Sequence, residues 1–155
     1  MNIEDLKGLM DAFEPSALLP ELNSIMGWIE LVMRVAVMVG PIVLLVMGLV
    51  YLFVSPKEAN YYLGYRCYFG MGSVAAWRFS QRLAGIVWTP LGLVLTVVMF
   101  FASGSFRGMD TMDMVWKAVR CMLWEVGLTA VSCLFVNTIV ALNYTGKGEL
   151  RRRKE

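Results

Sequence analysis

The sequence predicts an all-α polytopic membrane protein with three transmembrane helices, an interfacial cytoplasmic loop and a short N-terminal amphipathic helix. Its 155 residues are 58% hydrophobic and only 17% charged, which is too apolar for an ordinary soluble domain. The apolar residues come in long blocks, and about 20 helical residues cover the roughly 30 Å of a hydrocarbon core. The first residues are acidic and lack the apolar core of a signal peptide, so we expect the first span to act as the insertion signal.

Residues 1–22 are predicted to form an amphipathic segment outside the membrane. Apolar side chains recur there at three- and four-residue spacing, at Ile3, Leu6, Leu9, Met10 and Phe13. Pro15 and Pro20 are expected to end this helix. Because its polar side is acidic, it matches an anionic membrane surface poorly, and we expect it to pack on the outer face of the protein.

Residues 23–155 are interpreted as one membrane domain, with spans at about 35–54, 83–102 and 122–142. The first helix is expected to begin near Asn23. Gly40-Pro41 and Pro90 lie inside the first two spans. Two kinked helices can open a cleft between them, although such kinks also occur where helices simply pack together.

The third span follows directly from a helix whose start is marked by two acids. Asp110 and Asp113 are three residues apart, and acids are favoured at the positive end of a helix dipole. That helix carries Lys117 and Arg120 before it becomes apolar.

The basic residues predict the orientation. Nine of them lie in the loop after span one or in the tail 145–155 after span three, and five lie on the other side. The positive-inside rule then places the loop and the C-terminus in the cytoplasm and the N-terminus outside a cell membrane.

Polar residues within the apolar segments are candidates for function. Glu30 and Arg34 are four residues apart in the favourable order for a pair on one helix face, which could also simply mark the end of the span. Glu125 is expected a few residues below the outer surface, on one face with Thr129 and Ser132. An intramembrane carboxylate is by default a functional-site hypothesis, and Arg34 or Arg120 could equally pair with it in a purely structural role.

Asn137 lies deeper in the third span and is turned about a third of a turn away from Glu125. We therefore expect it to bond another helix.

The sequence lacks the residues that several classes of function require. The chain has no histidine, no recognisable hydrolase, metalloprotease or nucleotide-binding motif, and three cysteines without metal-ligand spacing. We predict no enzyme, no cofactor and no metal site. The net charge of +2, without a continuous basic stripe, argues against a nucleic-acid partner.

The loop 56–85 carries the most specific pattern. It interleaves aromatic residues with arginines, a combination favoured in the headgroup layer of a membrane. Its possible motif residues have fixed separations: Asn60, Gly64, Arg66, Trp77, Gln81 and Arg82. Gly64 and Asn60 suit a tight turn, Ser73 can cap the following helix, Arg66 can bond a carbonyl, phosphate or acid, and Trp77 is expected to anchor that helix at the bilayer surface.

This loop resembles the SdpI family of bacterial membrane proteins, whose pattern is roughly P-N-x3-G-x-R-T-x9-W-x3-N-R. The chain departs from it at Ala59, Cys67 and Gln81, which replace proline, threonine and asparagine. The resemblance implies a three-span immunity protein that protects the cell against a membrane-active peptide toxin. Toxin contact is expected on the outer side, around Glu30, Arg34 and Glu125.

The same resemblance leaves a second hypothesis open, because some members are thought to hold a cytoplasmic repressor at the membrane. In that case the loop would tether a soluble regulator or another membrane protein. Besides the lipid bilayer, a second copy of the chain is a further candidate partner. The loop could also be a purely structural turn.

Overall fold

The computed structural model describes residues 15–54 and 63–151, with side chains from residue 25 onward. Within these ranges the chain forms three long helices: α1 (Pro15–Phe53), α2 (Val74–Gly104) and α3 (Thr111–Asn143). A short 3-10 helix, Gly70–Gly72, precedes α2. All three long helices contain segments that are long and apolar enough to cross a membrane, so the all-α polytopic fold is confirmed.

The helices extend beyond the predicted spans. The first begins at Pro15 rather than near Asn23, and it continues through Pro20 and Pro41. Proline is well suited to the first position of a helix, where its missing N–H group would have no partner in any case. The predicted amphipathic helix at residues 2–13 lies outside the described residues.

Side-chain caps begin the other two helices as the sequence predicts. The Ser73 hydroxyl accepts a hydrogen bond of 3.1 Å from the Ala76 N–H group at the start of α2. The Asp110 carboxylate accepts one of 3.1 Å from Met112 at the start of α3, and Asp113 lies in the first turn. Both caps satisfy backbone donors that a helix start leaves unpaired.

Helices α1 and α2 run antiparallel and pack most extensively against each other. Glycines bring their backbones together. A methyl group added at Gly92 would lie 2.5 Å from the Leu45 backbone nitrogen, and one at Gly48 would lie 2.6 Å from that of Thr89. Small residues at the contact are the usual means of close packing in membranes. Within residues 74–143, which are all described, no such glycine contact joins α2 to α3.

The outward sides of the helices are apolar as well. Val39, Val94 and Leu134 are each more than half exposed, and similar residues continue along all three helices. A soluble monomer rarely exposes so large an apolar surface, whereas a lipid environment requires it.

We call the end of the bundle that holds residues 63–73 the loop end. The chain after α3 turns back at this end, where Tyr144 and Leu150 form an isolated β-bridge. The Ser73 hydroxyl donates a hydrogen bond of 2.8 Å to the Gly148 carbonyl. The described part of the tail is therefore packed against the start of α2.

Candidate functional site

A glutamine clamp holds the described part of the motif loop. The Tyr65 N–H group donates to Gln81 Oε1 at 2.7 Å, and Gln81 Nε2 donates back to the Tyr65 carbonyl at 2.8 Å. Gln81 is completely buried. Its carboxamide thus replaces both backbone partners that the loop residue would otherwise obtain from regular secondary structure.

Gly64 and Trp77 fit together beside this clamp. Gly64 has φ = 136°, in the region that favours glycine, and a Cβ atom there would collide with the Trp77 ring. Trp77 is fully buried within the protein. The expectation that Trp77 anchors α2 at the bilayer surface is therefore wrong, because its ring fills the space under the loop instead of facing headgroups.

The Tyr65 side chain reaches down into the bundle. Its hydroxyl lies 2.8 Å from Asn137 Oδ1 and 3.1 Å from the Cys133 carbonyl of α3, both of which can accept its proton. Its ring packs edge-to-face on Trp88, with 5.2 Å between centroids. Burial raises the pKa of the Tyr65 hydroxyl well above its ordinary value. Asn137 therefore bonds a loop residue, where the sequence had predicted another helix.

The remaining motif residues lie toward the surface. Arg66 and Arg82 are exposed, and so is the neighbouring Tyr68 ring, at 78%. Asn60 lies outside the described residues. The loop end thus presents guanidinium groups and an aromatic ring beside the folded tail.

Glu30 and Arg34 form the predicted pair on one face of α1. An Arg34 guanidinium nitrogen lies 2.6 Å from Glu30 Oε1, and both side chains are about 30% exposed (29% and 28%). This pair lies near the end of the bundle opposite the loop end.

Glu125 has a different environment from the one predicted. It is only 7% exposed and follows Thr111, the first residue of α3, by 14 positions, so it lies near the middle of the span and not just beneath a surface. Across from it, a methyl group at Gly40 would lie 2.7 Å from Glu125 Oε2. The carboxylate therefore fits against bare backbone of α1.

Neither predicted arginine pairs with Glu125. Arg34 forms its salt bridge with Glu30, and Arg120 directs its Nε–H to the Trp116 carbonyl. Arg34 is six residues from Gly40, about 9 Å along α1, and Arg120 projects about 140° away from Glu125 around α3. Geometry thus keeps both cations away from the carboxylate.

A cleft of about 490 Å³ opens beside Glu125 between the three helices. Its walls are almost entirely apolar, and they include Gly40, Pro41, Leu44, Met47, Trp88, Leu95, Thr129 and Cys133. Val43 and Val126 also line it and are exposed at 54% and 67% on the lipid-facing side, so we take this side as the opening. Thr129 shares the cleft with Glu125, as their spacing on α3 predicts.

The cleft and the loop share a wall. Trp88 and Cys133 line the cleft and also contact the Tyr65 side chain. Tyr65, Trp88 and Gly40 were not among the predicted site residues, although Gly40 stands before a proline and Tyr65 fills a variable position of the motif. These residues belong to the site because of contacts between helices, which sequence spacing alone does not reveal.

Three long apolar helices, consecutive ones running antiparallel, define a polytopic membrane protein, with a clamped loop at one end of the bundle and a buried glutamate near the middle of α3. The chain matches the SdpI/YfhL protein family over residues 57–142, more than half of its length, and it belongs to that family. No curated protein and no solved structure is matched by the chain.

Proposed function

We propose that this protein is an SdpI-type immunity protein that protects the cell by binding a membrane-active peptide within the bilayer. The single observation that carries the proposal is the cleft beside Glu125, near the middle of α3. Family membership supports the same assignment.

The cleft suits a ligand that arrives through lipid. Its volume lies in the range of about 300–1,000 Å³ of ligand pockets, and its rim residues Val43 and Val126 face outward. An apolar peptide inserted in the membrane could therefore enter sideways and place a few side chains between α1 and α3.

Glu125 supplies the polar contact of this site. A buried carboxyl group in hydrocarbon is costly unless it is paired or protonated, and such residues commonly mark ligand paths. Glu30 and Arg34 are already paired with each other at 2.6 Å, so in this proposal they contribute less to toxin binding than Glu125 does.

A toxin challenge tests the proposal. The protein is expressed in a sensitive strain, its membrane insertion is verified, and survival is measured against a panel of membrane-active peptides. We expect protection against at least one peptide, its loss with Glu125→Leu, and its retention with Trp124→Leu, since Trp124 is 70% exposed on the same helix. Absence of protection by a correctly inserted protein, or equal protection by both variants, would count against immunity through this cleft.

A second candidate function is the tethering of a soluble regulator at the loop end. The observation that favours it is that Tyr65, whose hydroxyl donates to the Cys133 carbonyl of the cleft wall, stands in the loop directly before exposed Arg66 and three residues before exposed Tyr68. In this proposal, with the loop on the cytoplasmic side, peptide binding in the cleft changes the surface that the regulator meets.

Site-specific photocrosslinking separates the two functions. A crosslinker at position 68 should capture a soluble protein if tethering operates, whereas one at position 126 should capture the toxin peptide. Crosslinks at position 126 alone would support immunity and contradict tethering.

A further inference from the structure

The carboxyl group of Glu125 lacks a partner within the bundle. Its Oε1 atom has no hydrogen-bond partner among the described residues, and the side chain lines the cleft while being only 7% exposed. An ionised carboxylate in an apolar interior is costly unless a cation lies beside it, and a neutral carboxyl group still needs hydrogen-bond partners. The centre of a bilayer offers no bulk water to supply either. The group that satisfies Glu125 therefore has to come from what fills the cleft.

Glu125 stands at one end of the cleft and not in its middle. The cleft residues of α1 and α3 begin at Gly40 and Glu125, which face each other, and continue toward the loop end as far as Met47 and Cys133. Cys133 follows Glu125 by eight residues, about 12 Å along α3. The cleft thus offers one charged position followed by an apolar slot about two helical turns long.

A metal ion fits the charged position poorly. Mg²⁺ and Ca²⁺ are surrounded by about six or more oxygen ligands. Among the described residues that line the cleft, Glu125 and Thr129 are the two whose side chains carry oxygen. An organic cation needs a single carboxylate, and its apolar remainder can occupy the slot.

We propose that the cleft recognises a lysine side chain on an apolar, membrane-embedded peptide segment. The ammonium group donates to Glu125 Oε1 and neutralises the carboxylate, while apolar side chains next to the lysine fill the slot toward the loop end. This inference rests on the proposed function and specifies the chemistry of its ligand. The ligand's backbone amides are already paired within its own helix in lipid, so a side chain is the group available for recognition.

Other side chains fit the charged position less well. A carboxylate would bring a second negative charge next to Glu125. A carboxamide or hydroxyl group would supply a hydrogen bond but leave the negative charge uncompensated, and an apolar side chain would supply neither. A lysine at the centre of a membrane is itself costly for the free peptide, so the pairing relieves the peptide and the protein together.

The site can be tested with five synthetic transmembrane peptides. Each is a leucine helix with terminal lysines. In four of them the central position carries lysine, leucine, glutamine or glutamate, and in the fifth the extra lysine is moved eight residues from the centre, about 12 Å. The full-length protein in lipid nanodiscs carries a fluorescent donor and each peptide carries an acceptor, and transmembrane insertion of every peptide is verified before binding is compared.

We expect the central-lysine peptide to bind about tenfold more tightly than the leucine peptide, because an unpaired lysine is most costly at the membrane centre. The peptide with the displaced lysine should bind like the leucine peptide. Glu125→Gln, which keeps the size of the side chain and removes its charge, should abolish the preference for lysine. Trp124→Phe is the matched control, since Trp124 is the neighbouring residue and is exposed, and it should leave the preference unchanged.

Equal binding of the central-lysine and leucine peptides to the unaltered protein would overturn the inference, and this comparison needs no variant to fold. Tightest binding of the glutamine peptide would also overturn it, as would a lysine preference that Glu125→Gln leaves intact. Toxin protection without a lysine preference would disprove only the ligand chemistry, whereas a lysine preference without protection would support this site and count against immunity.

Discussion

Replacing Gln81 by leucine should release the motif loop from α2. The substitution removes both hydrogen bonds to Tyr65, of 2.7 and 2.8 Å, while leucine fills nearly the same fully buried volume. Each backbone group left buried and unpaired costs about 1–3 kcal/mol. Since the loop end lies near water and can relax, we expect a loss of about 2–4 kcal/mol in the free energy of unfolding.

Reversible unfolding in mixed micelles with increasing dodecyl sulfate measures this loss. Arg82→Leu is the matched control because Arg82 is the next residue and is exposed, so its effect should remain within about 0.5 kcal/mol. Gln81→Asn, which introduces the residue usual in the family pattern, should fall between the two because its shorter side chain reaches one backbone partner less well. Hydrogen exchange at the Tyr65 amide should accelerate in parallel.

A stability change below about 0.5 kcal/mol for Gln81→Leu would refute the clamp. An equally large effect of Arg82→Leu would show that the loss reflects a general disturbance of α2 and not the two hydrogen bonds.

Three further substitutions test the packing. Gly64→Ala should destabilise the protein by about 2–4 kcal/mol in the same unfolding assay, because a side chain at φ = 136° is strained and would collide with the Trp77 ring. Gly92→Ala should separate α1 from α2 and lower stability by about 1–3 kcal/mol, whereas Gly127→Ala, with open space around it, should be neutral or stabilising by up to about 1 kcal/mol; similar effects at both positions would contradict the close contact. Tyr65→Phe should cost about 0.5–1.5 kcal/mol at neutral pH. Because burial raises the pKa of Tyr65 in the folded state, the folded protein binds more protons above pH ~10 and its stability should fall as the pH rises further; this fall should be shallower in Tyr65→Phe, and identical pH profiles would contradict the burial of the hydroxyl.

The fold was largely predictable from the sequence. Long uncharged blocks require helices in lipid, and Ser73 and Asp110 begin α2 and α3 as their side chains suggest. The start of α1 was not predictable from its prolines, since Pro15 takes the first helical position and Pro20 is accommodated within the helix.

Some residues of the candidate site could be singled out from the sequence, but most of their contacts could not. The spacing of Gly64, Trp77 and Gln81 marks them as a set, yet their mutual contact depends on how the loop folds over α2. For Glu125, two arginines at a similar predicted depth suggested partners, but Arg34 lies about 9 Å along α1 from the residue opposite Glu125, and Arg120 points away from it around α3. The Glu30–Arg34 pair was predicted because it needs only one helix.

The uneven packing of the three helices has a consequence for biogenesis. Since glycines join α1 and α2 closely while α3 has the cleft on its inner side, the first two helices should form a hairpin as they leave the translocon, and α3 should dock onto it later. Within the turn that joins α2 to α3, Arg107 and Gly108 are exposed, and these two residues would then be a suitable place to divide the polypeptide. Two co-expressed fragments divided at this turn should reassemble. A compound that binds in the cleft would contact both fragments and strengthen their association.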